Sequence, residues 1–303
     1  MGRHTQFHTA ANLLYPGWQK AQPCPRIGVM SLMLPVGCNA TCPNICYTDA
    51  ENWRRKSEHL TTDQLQTLIN EFAKQGGRLV RIIGDGEPLL YREMATLCQW
   101  IRDANMQLVV FSNGVAIPQT FLQEYERGSV WVYLKLWSER EAVQQKLVAP
   151  RTPYVYCHGE MGLAPQSFYQ LWQIQPARVG FQVMVSSINA EDVTLILSGP
   201  KRTLPMLVEP FIAHGAGKGH DEFKPQSLPP STKACSKPPR SSYLAVVNSQ
   251  GQLQPGTFIP KDLVSVKKGQ LLSVWQSVFA TKTLFYRGRY EEGCLCEKFH
   301  SEQ

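Results

Sequence analysis

No run of about 18 apolar residues occurs in this chain, so no membrane-spanning helix is expected. The opening "MGRHTQFHTAANLLYPGW" lacks a cationic segment followed by an apolar core, which argues against a secretory signal. A myristoylation signal is missing as well, because Gln6 stands where Ser or Thr is wanted. These absences point to a cytoplasmic protein, and in that compartment structural disulfides are rare. The sequence has no internal repeat and no aromatic-interleaved basic motif of the RNA-binding kind, so neither membrane nor nucleic acid is an expected partner. The formal charge of +7 and the basic runs "ENWRRK" and "VSVKKG" are then read as solvated surface.

What is present is a chain of 303 residues, 43% apolar and 18% charged, long enough for one large α/β domain with an appendage. Its nine cysteines are unevenly spread. Cys38, Cys42 and Cys46 crowd into "PVGCNATCPNICY", and Cys235, Cys294 and Cys296 fall in the last third. Two separated groups suggest two metal centres. Cys98 lies on the Leu97/Ile101 side of a predicted helix and is assigned to core packing.

Apolar periodicity alternates between strand and helix along residues 27–212. "IGVMSLML", "RLVRIIG", "QLVVFSNG", "VWVYLKLWS", "RVGFQVMVSS" and "PMLVEPFI" read as strands. Between them, "TTDQLQTLINEFAKQGG" reads as a helix capped by Thr61 or Thr62 and stopped by Gly76–Gly77. Strands that alternate with helices predict a parallel sheet, because parallel neighbours need crossover connections. Ligands of such sheets gather at the carboxyl ends of the strands. The cysteine loop, "GDGEP", "SNG" and "KLWS" follow the first four strands and so share that rim. The segment "YVYCHGEMG" around Cys157 reads as a loop between the fourth and fifth strands. After residue 212 a Gly-, Pro- and Ser-rich stretch precedes a hairpin in "YLAVVNSQGQLQPGTF" and a helix in "LLSVWQSVFATKTL". The division is therefore an N-terminal extension over 1–26, a main domain over 27–212, and a linker with a small C-terminal domain over 213–303.

Thiolates in a reducing compartment suit zinc or iron–sulfur clusters. Zinc would want a fourth ligand, and the nearest downstream candidate is His59. A cluster held by three thiolates leaves one iron open to a substrate or cofactor.

A first strand, a three-cysteine loop ending in an aromatic residue (Tyr47), and "GDGEP" after the next strand together resemble the radical S-adenosylmethionine (SAM) superfamily. The spacing here is CxxxCxxxC, one residue longer in its second gap than the common CxxxCxxC of that family. The resemblance implies a partial (β/α)6 barrel over 27–212, with Cys38, Cys42 and Cys46 holding a [4Fe-4S] cluster whose open iron chelates SAM. It implies reductive cleavage of SAM to methionine and a 5′-deoxyadenosyl radical that abstracts a substrate hydrogen, with electrons from a donor such as flavodoxin or ferredoxin. "GDGEP" resembles the GGEP motif of the family. By that likeness Gly84, Gly86 and Glu87 face the SAM amino group, Pro88 turns the strand end, and Tyr47 follows the cluster. Ser112 and Asn113 then lie near the ribose, and Lys135 and Ser138 near the carboxylate or ribose.

Cys235, Cys294 and Cys296 resemble part of a twitch or SPASM domain, which implies an auxiliary [4Fe-4S] cluster, although Gly256 occupies a position where that pattern has cysteine. The short chain is similar to twitch enzymes that epimerise or dehydrogenate sugars and aminocyclitols, and an epimerase needs a spare thiol, for which Cys157 is the candidate. Two other readings stand beside this one. A peptide-modifying maturase often carries an N-terminal recognition domain, for which the 26 residues before the first strand are too few. A non-catalytic cluster or zinc protein has no need of Glu87 beside three loop thiols.

Overall fold

The computed structural model describes residues 27–42, 46, 59–151, 155–210, 219, 221–225, 244–254, 264–267 and 269–275. Its strands are β1 (Val29–Leu32), β2 (Leu79–Ile82), β3 (Gln107–Ser112), β4 (Val130–Lys135), β5 (Tyr156–Gly159), β6 (Gly162–Pro165), β7 (Val179–Val185), β8 (Met206–Pro210), β9 (Leu244–Val247), β10 (Gln252–Gln254) and β11 (Val264–Ser265). The helices are α1 (Thr62–Lys74), α2 (Met94–Asp103), α3 (Gln119–Arg127), α4 (Glu141–Val148), α5 (Gln166–Ile174), α6 (Ala190–Ser198) and α7 (Leu271–Val274). The expected alternation is thus present, with a helix between successive parallel strands of the main sheet from β1 to β8.

That sheet has nine strands in the order β11-β10-β9-β1-β2-β3-β4-β7-β8. From β9 through β8 all neighbours are parallel, whereas β10 and β11 run antiparallel. The hairpin read in "YLAVVNSQGQLQ" exists as β9–β10, and its first strand joins the main sheet directly beside β1, with Val29 opposite Leu244.

Two features differ from expectation. The segment between the fourth and fifth parallel strands is not a plain loop: β5 and β6 pair as an antiparallel hairpin, Cys157 opposite Ala164, and α5 follows at once. β5 is half-buried to exposed, so it has no apolar run to register as a strand, and Gly162, the first residue of β6, takes a positive φ of 77°. The helix expected in "LLSVWQSVFATKTL" is α7 over Leu271–Val274, and residues 276–284 of that segment lie outside the described residues.

Alternation along each strand separates two faces. The outer residues Met30 and Leu32, Val80 and Ile82, Leu108 and Val110, Val132 and Leu134, and Phe181 and Val183 are fully buried beneath the helices. The helices contribute their own stripes, such as Leu65, Leu68, Ile69 and Phe72 from α1 and Leu97, Cys98 and Ile101 from α2. Cys98 is therefore core, as its spacing predicts. Helix α1 begins with a reciprocal cap, in which Gln64 N donates to Thr61 Oγ1 and Thr61 N donates to Gln64 Oε1.

The inner face is different in kind. Val29, Leu79, Val109, Phe111, Tyr133, Leu207 and Val246 form a smaller apolar cluster there. Between them lie Ser31, Arg81, Lys135, Gln182 and Glu209, on the same face by register. Trp131, Lys135, Gln182 and Met184, on the interior strands β4 and β7, and Glu209, on the edge strand β8, are only half-buried. A sheet face left half-buried and partly polar among the described residues has the geometry of a binding lumen rather than a packed core.

Candidate active site: a thiol loop on the strand rim

The three loop cysteines follow β1. Cys42 is buried, while Cys38 and Cys46 are half-buried beside the apolar cluster of Ala40, Trp137, Leu147 and Val148. The loop is fastened to the end of α4: Ala40 bridges Pro150, Thr41 N donates to Ala149 O at 2.8 Å, and Arg151 N donates to Asn39 O at 2.8 Å. Cys42 Sγ donates to Val148 O at 3.2 Å. Cys38 Sγ accepts from Ala40 N at 3.4 Å and from Asn113 Nδ2 at 3.7 Å. Among the described residues no three Cys, His, Asp or Glu side chains already form a closed ligand array.

The thiols nonetheless share one electrostatic environment. Burial pushes Cys42 up to about 12, opposed by the Lys135 cation and reinforced by Cys46 and Cys38. Burial also raises Cys38, opposed chiefly by the hydrogen bond from Ala40. Three soft donors on one loop, with Lys135 close by and an amide and a backbone N–H aimed at one sulfur, fit a thiolate-ligated cluster. Metal binding would displace the thiol protons that burial otherwise retains.

"GDGEP" lies against this loop. Gly84 takes a positive φ of 65°. A methyl group at Gly86 would overlap the carbonyl oxygens of Val36 and Gly37, so glycine is required by close backbone approach. Glu87 N donates to Gly37 O at 2.9 Å, which ties the two loops together. Pro88 then starts a short 3-10 turn over Pro88–Leu90.

The Glu87 carboxylate joins the second and third strand ends. Its Oε1 accepts from Leu89 N at 3.1 Å and Ser112 Oγ at 2.7 Å, and its Oε2 accepts from Asn113 N at 2.7 Å. Burial raises its pKa, opposed by the Asn113 and Ser112 hydrogen bonds and then by Lys135. Asn113 continues toward the cysteine loop, donating to Asn39 Oδ1 at 2.8 Å. Glu87, Ser112, Asn113 and Cys38 are therefore one connected group.

The fourth strand end is organised by Gln144, which is fully buried. Its Oε1 accepts from Trp137 N and Ser138 N at 2.7 and 3.1 Å, and its Nε2 donates to Lys135 O at 3.0 Å. Lys135 Nζ lies 5.9 Å from the centre of the Trp137 ring. Ser138 is turned into this loop, its hydroxyl shared with Arg140 N and Arg140 O, so its hydrogen bonds serve the loop itself.

Comparison with known proteins bears directly on this arrangement. No family model matches the chain. The S-adenosylmethionine-dependent nucleotide dehydratase of Lacinutrix mariniflava is 23% identical over 223 residues, which is 71% of this chain and 45% of that protein. The chain spans less than half the length of the curated relatives it matches. Among solved structures, Streptococcus suis SuiB bound to the precursor peptide SuiA has a TM-score of 0.55 at 12% identity, covering 86% of this chain and 67% of SuiB. The structure of anSMEcpe with bound AdoMet has the same TM-score and identity, covering 84% of this chain and 82% of that one. The likeness in sequence and fold is to enzymes of the radical SAM superfamily.

Against that superfamily's pattern, the structure brings Cys38, Cys42 and Cys46 to the same rim as Gly84, Gly86, Glu87, Pro88, Ser112, Asn113 and Lys135. Tyr47, Cys235, Cys294, Cys296 and Gly256 lie outside the described residues. Cys157 is not part of the rim group. It sits on the β5–β6 hairpin, where alternation gives Tyr156 the side facing Gln144 and Cys42, and Cys157 the side of Tyr169. Asn39, Trp137, Gln144 and Asp85 contribute to the site without having been legible as such. The one signal for Gln144 is its place one turn into the helix that follows "KLWS".

Proposed function

We propose that this radical SAM protein cleaves SAM reductively and takes a hydrogen atom from a small, hydroxylated, sugar-like molecule, which it epimerises or dehydrogenates. The observation that carries the reading is the joined group of loop thiols, Glu87, Ser112 and Asn113 at the mouth of an inner face lined by half-buried polar side chains.

In this reading Cys38, Cys42 and Cys46 hold a [4Fe-4S] cluster. When bound, the cluster supplies the electron that splits SAM into methionine and a 5′-deoxyadenosyl radical. The protein's own part is to position. Glu87 fixes the SAM loop to the third strand, and Oε2, with one donor against two on Oε1, retains acceptor capacity for the SAM ammonium. Asn113 braces the first cysteine, and Lys135 supplies the positive charge at the rim. On the inner face, Gln182 Nε2 donates to Glu209 Oε2 at 2.6 Å, and Arg81 Nε donates to Ser31 Oγ at 2.9 Å. A carboxylate, an amide and a guanidinium on one apolar wall suit a substrate with several hydroxyl or amino groups, and they disfavour a wholly apolar one. Cys235, Cys294 and Cys296 are proposed to hold an auxiliary cluster, and a flavodoxin or ferredoxin to deliver the electrons.

The test is anaerobic reconstitution with iron and sulfide, addition of SAM and dithionite, and quantification of 5′-deoxyadenosine and methionine. Equimolar release by the wild type and none by the Cys38/Cys42/Cys46→Ala variant is the expected result. Release by neither protein sinks the proposal. With a substrate in hand, deuterium from solvent at the reacting carbon marks epimerisation, and its absence marks dehydrogenation.

A further inference from the structure

Asp85 stands between the two glycines of "GDGEP", and its side chain reaches a partner far along the chain. Its side chain is 6% exposed, and its Oδ2 accepts a hydrogen bond of 2.6 Å from Ser249 Oγ. Ser249 is itself buried, 2% exposed, and sits 164 positions later in the turn between β9 and β10. The same serine accepts a 2.9 Å hydrogen bond on its carbonyl from Leu60 N, immediately before the Thr61 cap of α1. One residue of the C-terminal hairpin therefore holds both the SAM loop and the start of the helix that follows the cysteine segment.

The turn is built to stay in place. Asn248 Oδ1 accepts from Gln250 N at 3.1 Å and from Gln252 N at 2.9 Å. Gly251 has a positive φ of 69°, and a Cβ there would meet Leu60 Cδ2 at 2.6 Å. Next to it, Met33 N donates to Val247 O at 2.9 Å, which carries the contact back to the strand that leads into the cysteine loop. A hydrogen bond to a buried carboxylate is stronger than a neutral one, and losing the donor leaves the carboxylate under-solvated.

We propose that Asp85 and Ser249 are positioning residues for SAM: the β9–β10 turn clamps the "GDGEP" loop, so the geometry of the SAM amino-group site depends on a hairpin outside the first six parallel strands. The inference rests on the SAM reading above, yet it has a readout of its own. In Ser249→Ala, amide hydrogen exchange of peptides covering Gly84–Glu87 in the SAM-free protein is expected to quicken at least tenfold. The reconstituted variant is expected to bind SAM about tenfold more weakly by equilibrium dialysis. The loss should fall on KM for SAM rather than on the maximal rate of 5′-deoxyadenosine release. Ser249→Thr, which keeps the hydroxyl, should recover most of the affinity, and Asp85→Asn, which keeps an acceptor, should be milder than Ser249→Ala.

Wild-type exchange and wild-type SAM affinity in folded Ser249→Ala and Asp85→Asn would overturn the proposal. So would a general fall in melting temperature with faster exchange throughout the sheet, because that marks a structural contact only. If the wild type binds no SAM, the functional reading falls, and exchange at Gly84–Glu87 still decides whether the clamp exists.

Discussion

Gly86 and Gly37 face each other across the contact between the "GDGEP" loop and the cysteine loop, but they tolerate change differently. A Cβ on Gly86 would run into two carbonyl oxygens, whereas one on Gly37 meets nothing within 4 Å. Gly86→Ala is expected to destabilise the protein by about 2–3 kcal/mol and to weaken SAM binding at least tenfold, because the loop must move to relieve the overlap. Gly37→Ala should change either quantity little. Thermal melting and SAM dialysis on both variants check this. At this scale the sequence was legible where chemistry is local, as in three thiols within nine positions. It was silent on Asp85, whose partner is far along the chain, and on Gln144, whose three hydrogen bonds reach back over the end of β4.

Elements were legible in proportion to how apolar their pattern is. The parallel strands stood out because each is an apolar run bounded by a helix with a buried stripe, as Leu65, Leu68, Ile69 and Phe72 are in α1. The β5–β6 hairpin was not legible, since its first strand is half-buried to exposed and has no apolar run like those of the equally short β1 and β2. Helix α5, which follows it without a break, was missed with it. That hairpin matters for placing Cys157, because a strand fixes which way each side chain faces and a loop does not. The joint between β4 and α4 gives a second prediction. Gln144→Leu removes one acceptor and one donor from a fully buried position and leaves Trp137 N, Ser138 N and Lys135 O without it. A loss of about 3 kcal/mol is expected, seen as a lower urea midpoint at unchanged slope. Because Lys135 and Trp137 move with this joint, SAM binding should weaken as well. Wild-type affinity in the folded variant would show that the rim does not depend on it.

The whole molecule is asymmetric across its sheet, with helices covering one face and a partly polar wall on the other. Glu209 belongs to that wall. Removal from water raises its carboxyl above the ordinary value of 4.5, opposed by the Gln182 hydrogen bond and then by Arg81. The folded state therefore binds this proton more readily than the unfolded chain. The resulting stability is fully present below pH 4.5 and is lost as pH rises through the raised folded value. Glu209→Gln should flatten that part of the stability curve and leave the variant more stable than wild type at neutral pH. Urea titrations at a series of pH values would show it, and parallel curves for the two proteins would refute it. The general outline of an alternating parallel sheet with ligands on one rim came from repeated local patterns. The β9 strand beside β1 did not, because no local pattern says where a hairpin 200 residues downstream will dock.

That docking has a consequence for how the chain emerges during synthesis. β1 lies between β2 and β9 in the finished sheet, so it acquires one neighbour early and the other only after residues 244–247 have been made. Until then a nascent chain carrying the cysteine loop presents an open strand edge, the kind of surface that recruits stray strands from other chains. The ribosome must deliver more than two hundred further residues before β1 is sealed on both sides. A newborn molecule is thus exposed to misassembly while those residues are made, and the arrival of β9 ends it.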